Sequence, residues 1–366
     1  MLITFLKNPS IVKKFSPSDW QVLVNQGKIS NLLGRCYFIL KNNHLLTEVP
    51  KYVLWHFESA YKVANRQKLA THYEVDNIHT TLRKQGITPI FLKGAAYSIL
   101  GVNCSFGRVF SDIDVLIKKE ELQKAETQFF INGWLRMEVD DYDDKYYRVW
   151  MHEIPPLRHC KRASIVDLHH NLLPLTNKNT LKIEQLSTQY VENKWSSEQI
   201  KVLSNEEIII HSSIHLFTEG EFTNGLRDLS DLDMLIREFL LTDDNFLNKL
   251  IIKAKELELF DYVWLTMRYT SFVFNTPTNT NDLLDTTRKS SIKTLMLDFC
   301  YLNVFQPNHS SCKNWKTPIA KFLLYWRGHL LRMPLRLLIP HLTRKSWMAL
   351  KDTFTKEKDP NENMIP

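Results

Sequence analysis

The 366-residue sequence predicts an α/β (α+β) unit with a short mixed sheet, flanked by N-terminal helices and a C-terminal helical domain. Three observations predict this class. Apolar residues recur at helical spacing up to about residue 86, short β-type runs then alternate with helical ones, and helical spacing returns from about residue 180. The predicted boundaries are 1–86 for the N-terminal helical region, 87–175 for the α/β unit, 176–310 for the helical domain and 311–366 for a basic amphipathic C-terminal segment.

The N-terminal region contains two clear helix signals. Ser16 and Asp19 surround a proline in a pattern that starts helices, with either residue as the candidate cap. A longer helix follows Pro50, because apolar side chains repeat there every three or four residues, and it ends at Gly86. These apolar positions are Val53, Leu54, Phe57, Tyr61 and Ala64.

The α/β unit is predicted from alternating short runs. The sequence favours strands at 87–92 and 113–117, with a short helix at 94–101 and an amphipathic helix at 118–132. Two further strands are predicted near 146–154 and at 164–169, separated by a Pro-Pro turn.

Glycine and cysteine usage excludes several classes. The ten glycines form no G-x-G pair and no P-loop, so any nucleotide must be held by another phosphate grip. Five scattered cysteines without a C-x-x-C pair indicate neither a zinc site nor a disulfide framework. Together with the lack of a long apolar run and of a secretory leader, this favours a cytoplasmic protein.

The net charge of +7 is concentrated near the C-terminus. Residues 313–351 contain nine Lys or Arg and no Asp or Glu, whereas the rest of the chain has 38 basic and 40 acidic residues. This segment therefore predicts an anionic partner, either a membrane surface, nucleic acid or an acidic protein. A membrane partner would place the protein at the inner face of the membrane. The alternative is a packed helix with solvated charges.

Three carboxylates form the candidate metal site. Asp112 and Asp114 are two apart in a predicted strand, so both side chains project from one face. Two carboxylates this close repel each other unless a cation lies between them. Asp167, in another short β run, can supply a third oxygen ligand. Such a set without cysteine selects a hard divalent ion, Mg²⁺ or Mn²⁺.

A phosphate grip is predicted beside these carboxylates. Lys93 and Gly94 lie at a strand-to-helix junction, where helix N-terminal amides point outward and a glycine lets phosphate oxygens approach the backbone. Lys93 and Arg108 supply the positive charge that a triphosphate needs. The pattern indicates metal-assisted phosphoryl-type transfer.

The ordered motifs resemble those of the polymerase-β-like nucleotidyltransferases and, more closely, of the bacterial "uncharacterised nucleotidyltransferase" family. The resemblance runs from roughly residue 20 to residue 240. The motifs that carry it are Leu92-Lys93-Gly94, Arg108, Ser111-Asp112-Ile113-Asp114-Val115-Leu116-Ile117, Val166-Asp167-Leu168-His169 and Leu226-Arg227-Asp228-Leu229-Ser230-Asp231-Leu232.

This resemblance implies a minimal nucleotidyltransferase palm followed by a helical domain. Asp112 and Asp114 would bind two metal ions, and Asp167 would bind one of them and help to deprotonate the acceptor hydroxyl. The implied reaction transfers a nucleoside monophosphate from an NTP to an acceptor with release of pyrophosphate. The usual Gly-Ser or Gly-Gly turn is replaced by Lys93-Gly94-Ala95. The nucleotide-binding residues would be Lys93, Gly94, Arg108 and Ser111.

Several side chains have two interpretations at this point. His169 shares a face with Asp167 and either contacts substrate or orients its neighbours. Arg227 either joins an ion-pair network with Asp228 and Asp231 or contacts nucleotide or acceptor. His211 and His215 lie four apart, a spacing that suits helix packing more often than metal binding.

Two other functions also fit the sequence. One is an RNA- or tRNA-modifying, toxin-like nucleotidyltransferase, which the basic C-terminal segment favours and the slightly acidic remainder opposes. The other is a catalytically inactive nucleotide-binding scaffold, which the complete set of three carboxylates opposes. The acceptor, whether protein, RNA or small molecule, is not determined by these motifs.

Overall fold

In the computed structural model, the chain forms a seven-stranded mixed sheet that is preceded by an N-terminal group of helices and followed by a C-terminal group. The structure describes residues 1–137, 141–177, 181, 183–194, 196–278, 292–333, 335–336, 338–340 and 343–344. Within these residues, no helix is both long enough and apolar enough to cross a bilayer.

The N-terminal region is helical, as the sequence predicts. Ser16 caps the second helix: its hydroxyl accepts from the Asp19 amide, and the Asp19 carboxylate accepts from the Ser16 amide. The fourth helix begins after Pro50 and ends near Gly86, whose φ of +74° suits the turn into the sheet. The helices of this region are α1 (Leu2–Lys7), α2 (Pro17–Ile29), α3 (Leu33–Asn42) and α4 (Lys51–Arg83).

The sheet has the strand order β3-β4-β5-β2-β1-β7-β6. Its centre is mixed, because β2 runs parallel to β5 and antiparallel to β1, and β1 in turn runs parallel to β7. The strands are β1 (Ile90–Phe91), β2 (Ile113–Leu116), β3 (Trp134–Arg136), β4 (Leu157–His159), β5 (Ile165–His169), β6 (Thr188–Glu192) and β7 (Gln199–Leu203).

Three helices belong to the α/β unit: α5 (Lys93–Leu100), α6 (Leu122–Ile131) and α7 (Asp141–Trp150). The prediction of a strand at 146–154 is wrong for most of its length, because α7 occupies 141–150. Tyr146 and Trp150 are one helical turn apart, with ring centroids 5.9 Å from each other. That spacing outweighs the β propensity of the individual aromatic residues. Only Glu153 keeps a β-bridge, to His169.

The prediction of helix from about residue 180 is wrong for 188–203. This segment forms the antiparallel hairpin of β6 and β7, and β7 extends the sheet beside β1. Ile200 and Val202 are fully buried, and Lys201 between them is partly exposed. This alternation is the period-two signal of a strand with one covered face.

The remaining helices pack with the N-terminal ones around one apolar core. That cluster includes Leu2 and Phe5 of α1 together with Tyr269 of the C-terminal half, whereas a second cluster joins α4 to the sheet. The C-terminal helices are α8 (Asn205–Thr218), α9 (Gly225–Thr242), α10 (Phe246–Glu256), α11 (Phe260–Phe274), α12 (Ile292–Val304) and α13 (Lys316–Arg332).

Part of the basic segment lies outside the described residues. The residues outside the described part that support the prediction of an anionic partner include the cations Lys345 and Lys351 and the aromatic residue Trp347.

Candidate active site

A polar cleft of about 560 Å³ lies where β2 and α5 face the helices of the C-terminal half. One wall carries sequence-predicted residues of the α/β unit, although Asp167 and His169 are not among the residues that line the cleft, and the other wall comes from α8, α9 and α13. The predicted residues that line it are Lys93, Gly94, Arg108, Ser111, Asp112, Asp114 and Arg227.

Asp114 is a carboxylate of the cleft that has two side-chain donors. Its Oδ1 accepts from Lys93 Nζ at 2.7 Å and from His169 Nε2 at 3.0 Å. Burial by itself would raise the pKa of Asp114, but the Lys93 charge and the His169 bond hold it well below its usual range. Asp114 is therefore a buried anion in this structure.

Asp167 lies directly opposite Asp114 in the parallel β2–β5 register, yet its surroundings differ. Its Oδ1 is buried without a hydrogen-bond partner among the described residues. Burial and the neighbouring charges of Asp114, Asp112 and Glu153 raise the pKa of Asp167 to about 8. A buried carboxyl oxygen without a donor, beside other carboxylates, is the arrangement that a divalent cation stabilises.

Asp112 lies one residue before β2 rather than within it, which corrects the predicted strand position. Ser111 precedes it and donates from Oγ to Asp112 Oδ1 at 2.7 Å. Asp112 and Asp114 nevertheless both line the cleft. Asp112, Asp114 and Asp167 thus lie on two adjacent segments of the sheet, but they are not among the groups of three ligand atoms that lie within 4.8 Å of one another in the described residues.

The Lys93-Gly94 turn is conformationally constrained. Lys93 has a φ of +44°, in the left-handed region that costs energy for a side chain with a Cβ. A Cβ added at Gly94 would lie 2.7 Å from Arg108 Nη1 and 3.0 Å from Phe110 Cδ1. Glycine is therefore required for the close approach of Arg108 to the start of α5.

The side chain of Arg108 is held in position by carboxylates of α9. Its Nε donates to Asp231 Oδ2 at 2.9 Å, and its Nη2 lies 3.8 Å from Asp228 Oδ1. Arg35 of α3 forms an ion pair with the other oxygen of Asp231. Burial raises the pKa of Asp231, but Arg35 and Arg108 outweigh it and lower the pKa below its ordinary value. The guanidinium is thus positioned at the cleft before any ligand binds.

His169 and Arg227 differ in their access to the cleft. His169 is buried, with Nε2 on Asp114 and Nδ1 3.5 Å from Glu153 Oε2, an arrangement that favours an orienting role. Arg227 lines the cleft and donates from Nε to Asp228 Oδ1 at 2.9 Å, so it combines the ion pair with exposure to the cleft.

Glu153 and Glu219 were not predicted from the sequence as parts of the site, whereas Asp231 was expected in an ion-pair network and His215 was considered only as a metal ligand paired with His211. His215 Nε2 lies 3.0 Å from Glu219 Oε1, and both line the cleft. Together with Asp228 they offer ligand atoms within 4.8 Å of one another. His211, by contrast, is buried and lies outside the cleft lining. The i,i+4 spacing of His215 and Glu219 was the available signal.

The chain belongs to a family described as "Uncharacterised nucleotidyltransferase", which matches residues 16–275. The predicted resemblance is thereby confirmed. Membership supports a general role in nucleotidyl transfer and implies an NTP substrate. The match ends before α12 and α13.

One similar solved structure is that of an antigenic nucleotidyltransferase-like protein from Paracoccidioides brasiliensis. It is 14% identical, covers 52% of this chain and 92% of its own, and superposes with a TM-score of 0.31. No curated protein is significantly similar to the chain.

Proposed function

We propose that the protein is a metal-dependent nucleotidyltransferase that moves a nucleoside monophosphate from an NTP to an acceptor hydroxyl. The α/β unit would act as the palm, and the C-terminal helices would form the acceptor side of the cleft. The observation that carries the proposal is the Asp167 carboxyl, whose buried oxygen lacks a donor among the described residues and lies opposite Asp114.

The carboxylates of Asp112, Asp114 and Asp167 would bind Mg²⁺ or Mn²⁺ as a pair of ions. Asp112 and Asp114 would hold both ions, and Asp167 would hold one of them. Oxygen-only donors suit these cations and do not favour a thiophilic metal. When bound, the ions neutralise the clustered carboxylates and the charge that develops on the phosphates. His169, held by Asp114 and Glu153, would keep the Asp114 oxygens in position.

The reaction exchanges one phosphorus–oxygen bond for another. The acceptor oxygen forms a bond to the α-phosphorus, and the bond from that phosphorus to the bridging oxygen of the β-phosphate breaks. Pyrophosphate leaves with the bonding electron pair, and the hydroxyl proton passes to the Asp167 carboxylate. Without bound ions, burial and the neighbouring carboxylates raise the pKa of Asp167 to about 8; bound cations would lower this pKa and leave Asp167 ionised as the proton acceptor.

Phosphate binding is assigned to the Lys93-Gly94 turn, Ser111 and Arg108. Arg108 is held by two carboxylates of α9, so little of its orientation would have to be established on binding. Lys93 neutralises Asp114 in this structure and, beside the cleft, is also within reach of a bound phosphate. Its ammonium would move from the carboxylate toward the triphosphate as the cations bind.

Labelled nucleotides test this proposal. The protein is incubated with each α-³²P-labelled NTP, Mg²⁺ or Mn²⁺, and a cell lysate, and labelled acceptors are separated from free nucleotide. We expect one acceptor class to become labelled by wild-type protein and not by Asp114→Asn. Label that appears equally with both proteins would contradict the assignment of the carboxylates.

A further inference from the structure

Helix α13 carries a stripe of exposed apolar side chains along its outer face. The stripe begins at the cap residue Trp315 and continues at intervals of four, three, four and four residues, which keeps its members on one side of a helix. Their exposed fractions lie between 38% and 72%. The outer stripe consists of Trp315, Ile319, Phe322, Trp326 and Leu330.

The opposite face fixes how this helix is oriented. Ala320, Leu324 and Gly328 are buried, and a Cβ at Gly328 would lie 2.8 Å from Gly220, so the two backbones are in close contact. Arg327 Nη1 donates to the Phe217 carbonyl oxygen at 2.6 Å. Since the inner face is held in this way, the outer stripe faces outward, and the ring contacts recorded for it among the described residues are those of Trp315 with Lys316 and of Phe322 with Trp326.

The charge around the outer stripe is of one sign. Lys313, Lys316 and Lys321 are exposed near the first half of the helix, and residues 313–351 contain no carboxylate side chain. An apolar arc with tryptophans, bordered by cations, is the pattern of a helix that lies in a lipid headgroup region. A nucleic-acid surface would instead present the cations on the exposed arc.

We propose that α13 docks the protein on an anionic lipid bilayer, with the outer stripe among the acyl-chain ends and the lysines on the lipid phosphates. This surface lies outside the family match and does not depend on the proposed reaction. Tyr325, His329 and Arg332 of the same helix line the cleft. Docking would therefore bring the mouth of the cleft close to the lipid surface.

Vesicle flotation of the full chain tests the proposal. Wild-type protein should float with phosphatidylglycerol–phosphatidylcholine vesicles about tenfold more tightly than with pure phosphatidylcholine, and this preference should weaken in high salt. The double variant Phe322→Ser/Trp326→Ser should lose about tenfold or more in vesicle affinity. Leu241→Ser removes an equally apolar, 87% exposed side chain from α9 and should bind like wild type.

Trp315→Ser provides a second variant that keeps the fold, because this side chain is 72% exposed. It should weaken vesicle binding while thermal unfolding stays unchanged. Equal flotation with both vesicle types, or wild-type flotation by both stripe variants, would overturn the proposal. The proposal would also be overturned if the wild-type protein did not bind vesicles but formed a concentration-dependent dimer, or bound RNA, and the stripe substitutions abolished that dimer or that RNA binding.

Discussion

At the scale of single residues, Asp167 and Asp114 face each other across two strands but have opposite electrostatic surroundings. Asp114 has a lysine and a histidine as donors, whereas Asp167 Oδ1 has none among the described residues. Replacing Asp167 by Asn should therefore remove a buried acid that the metal-free fold holds protonated near neutral pH, where the unfolded chain would ionise it. We expect Asp167→Asn to stabilise the protein in EDTA by about 1 kcal/mol and to abolish transfer. Thermal unfolding and labelled-NTP assays measure the two effects, and a destabilised variant would contradict the account.

The stabilising effect of Asp167→Asn should depend on pH. When folding raises the pKa of an acid, there is a pH range in which the native state still holds the proton and the unfolded chain has lost it. Native stability then falls as pH rises from the ordinary value of 3.8 to about 8. The melting-temperature gain of the variant over wild type in EDTA should accordingly grow between pH 5 and pH 8. A gain that is constant over this range would show that Asp167 does not titrate there.

Asp114→Asn should behave differently in the same stability assay. Loss of its charge leaves the buried ammonium of Lys93 without a full counter-charge, and unpaired buried charges cost about 3 kcal/mol or more. We expect both lower stability and no detectable transfer. Unchanged stability, measured by urea unfolding, would mean that Lys93 finds another anion.

Lys93 itself should affect nucleotide affinity. If its ammonium reaches the triphosphate, Lys93→Ala should raise the KM for NTP by about tenfold or more, which corresponds to about 1.4 kcal/mol of transition-state binding. Lys118→Ala, which removes an exposed lysine outside the cleft, is the matched control. If both variants have the wild-type KM for NTP, the Lys93-Gly94 turn has only a structural role.

At the scale of elements, Asp231 connects three parts of the chain. From α9 it pairs with Arg35 of α3 and with Arg108 of the loop before β2. Asp231→Asn should destabilise the fold by about 3–5 kcal/mol, because two buried guanidinium groups lose their shared anion. Asp244→Asn, at an exposed carboxylate after α9, is the charge-matched control and should stay within about 0.5 kcal/mol of wild type. Urea unfolding of both variants tests this difference.

The elements also show what could be predicted from sequence. Helix α2 and strand β2 follow from local signals, a capping box and a short apolar run. Helix α7 could not be assigned by propensity, since aromatic residues favour strands and only their spacing indicates a helix. The β6–β7 hairpin was predictable from the alternation at Ile200 and Val202, but short runs of this kind also occur in helices.

Prediction of the candidate site was limited because a sequence shows local motifs but not contacts between residues far apart in the chain. Asp112, Asp114 and Lys93 occur in compact motifs, and the structure brings them to one cleft. Asp231 joins the site from 123 residues away, through its bond to Arg108. Sequence patterns report such long-range pairs poorly, because neither residue changes the local periodicity of its own helix or loop.

At the scale of the whole molecule, the cleft lies where the sheet and the C-terminal helices meet. Its sheet side carries Asp112 and Asp114, and its helical side adds His215, Glu219 and the start of α9. The N-terminal helices share a core with the C-terminal ones, which stabilises both walls against each other. The candidate site on the sheet is thereby completed by residues from distant parts of the chain.

The most direct test of the central claim is calorimetric titration of Mn²⁺ into the protein with a non-hydrolysable NTP analogue. Wild-type protein should bind the ion, and Asp167→Asn, which we expect to be folded and more stable, should bind it about tenfold or more weakly. Equal Mn²⁺ affinity of the two proteins would contradict the assignment of Asp167, Asp114 and Asp112 as the metal-binding set.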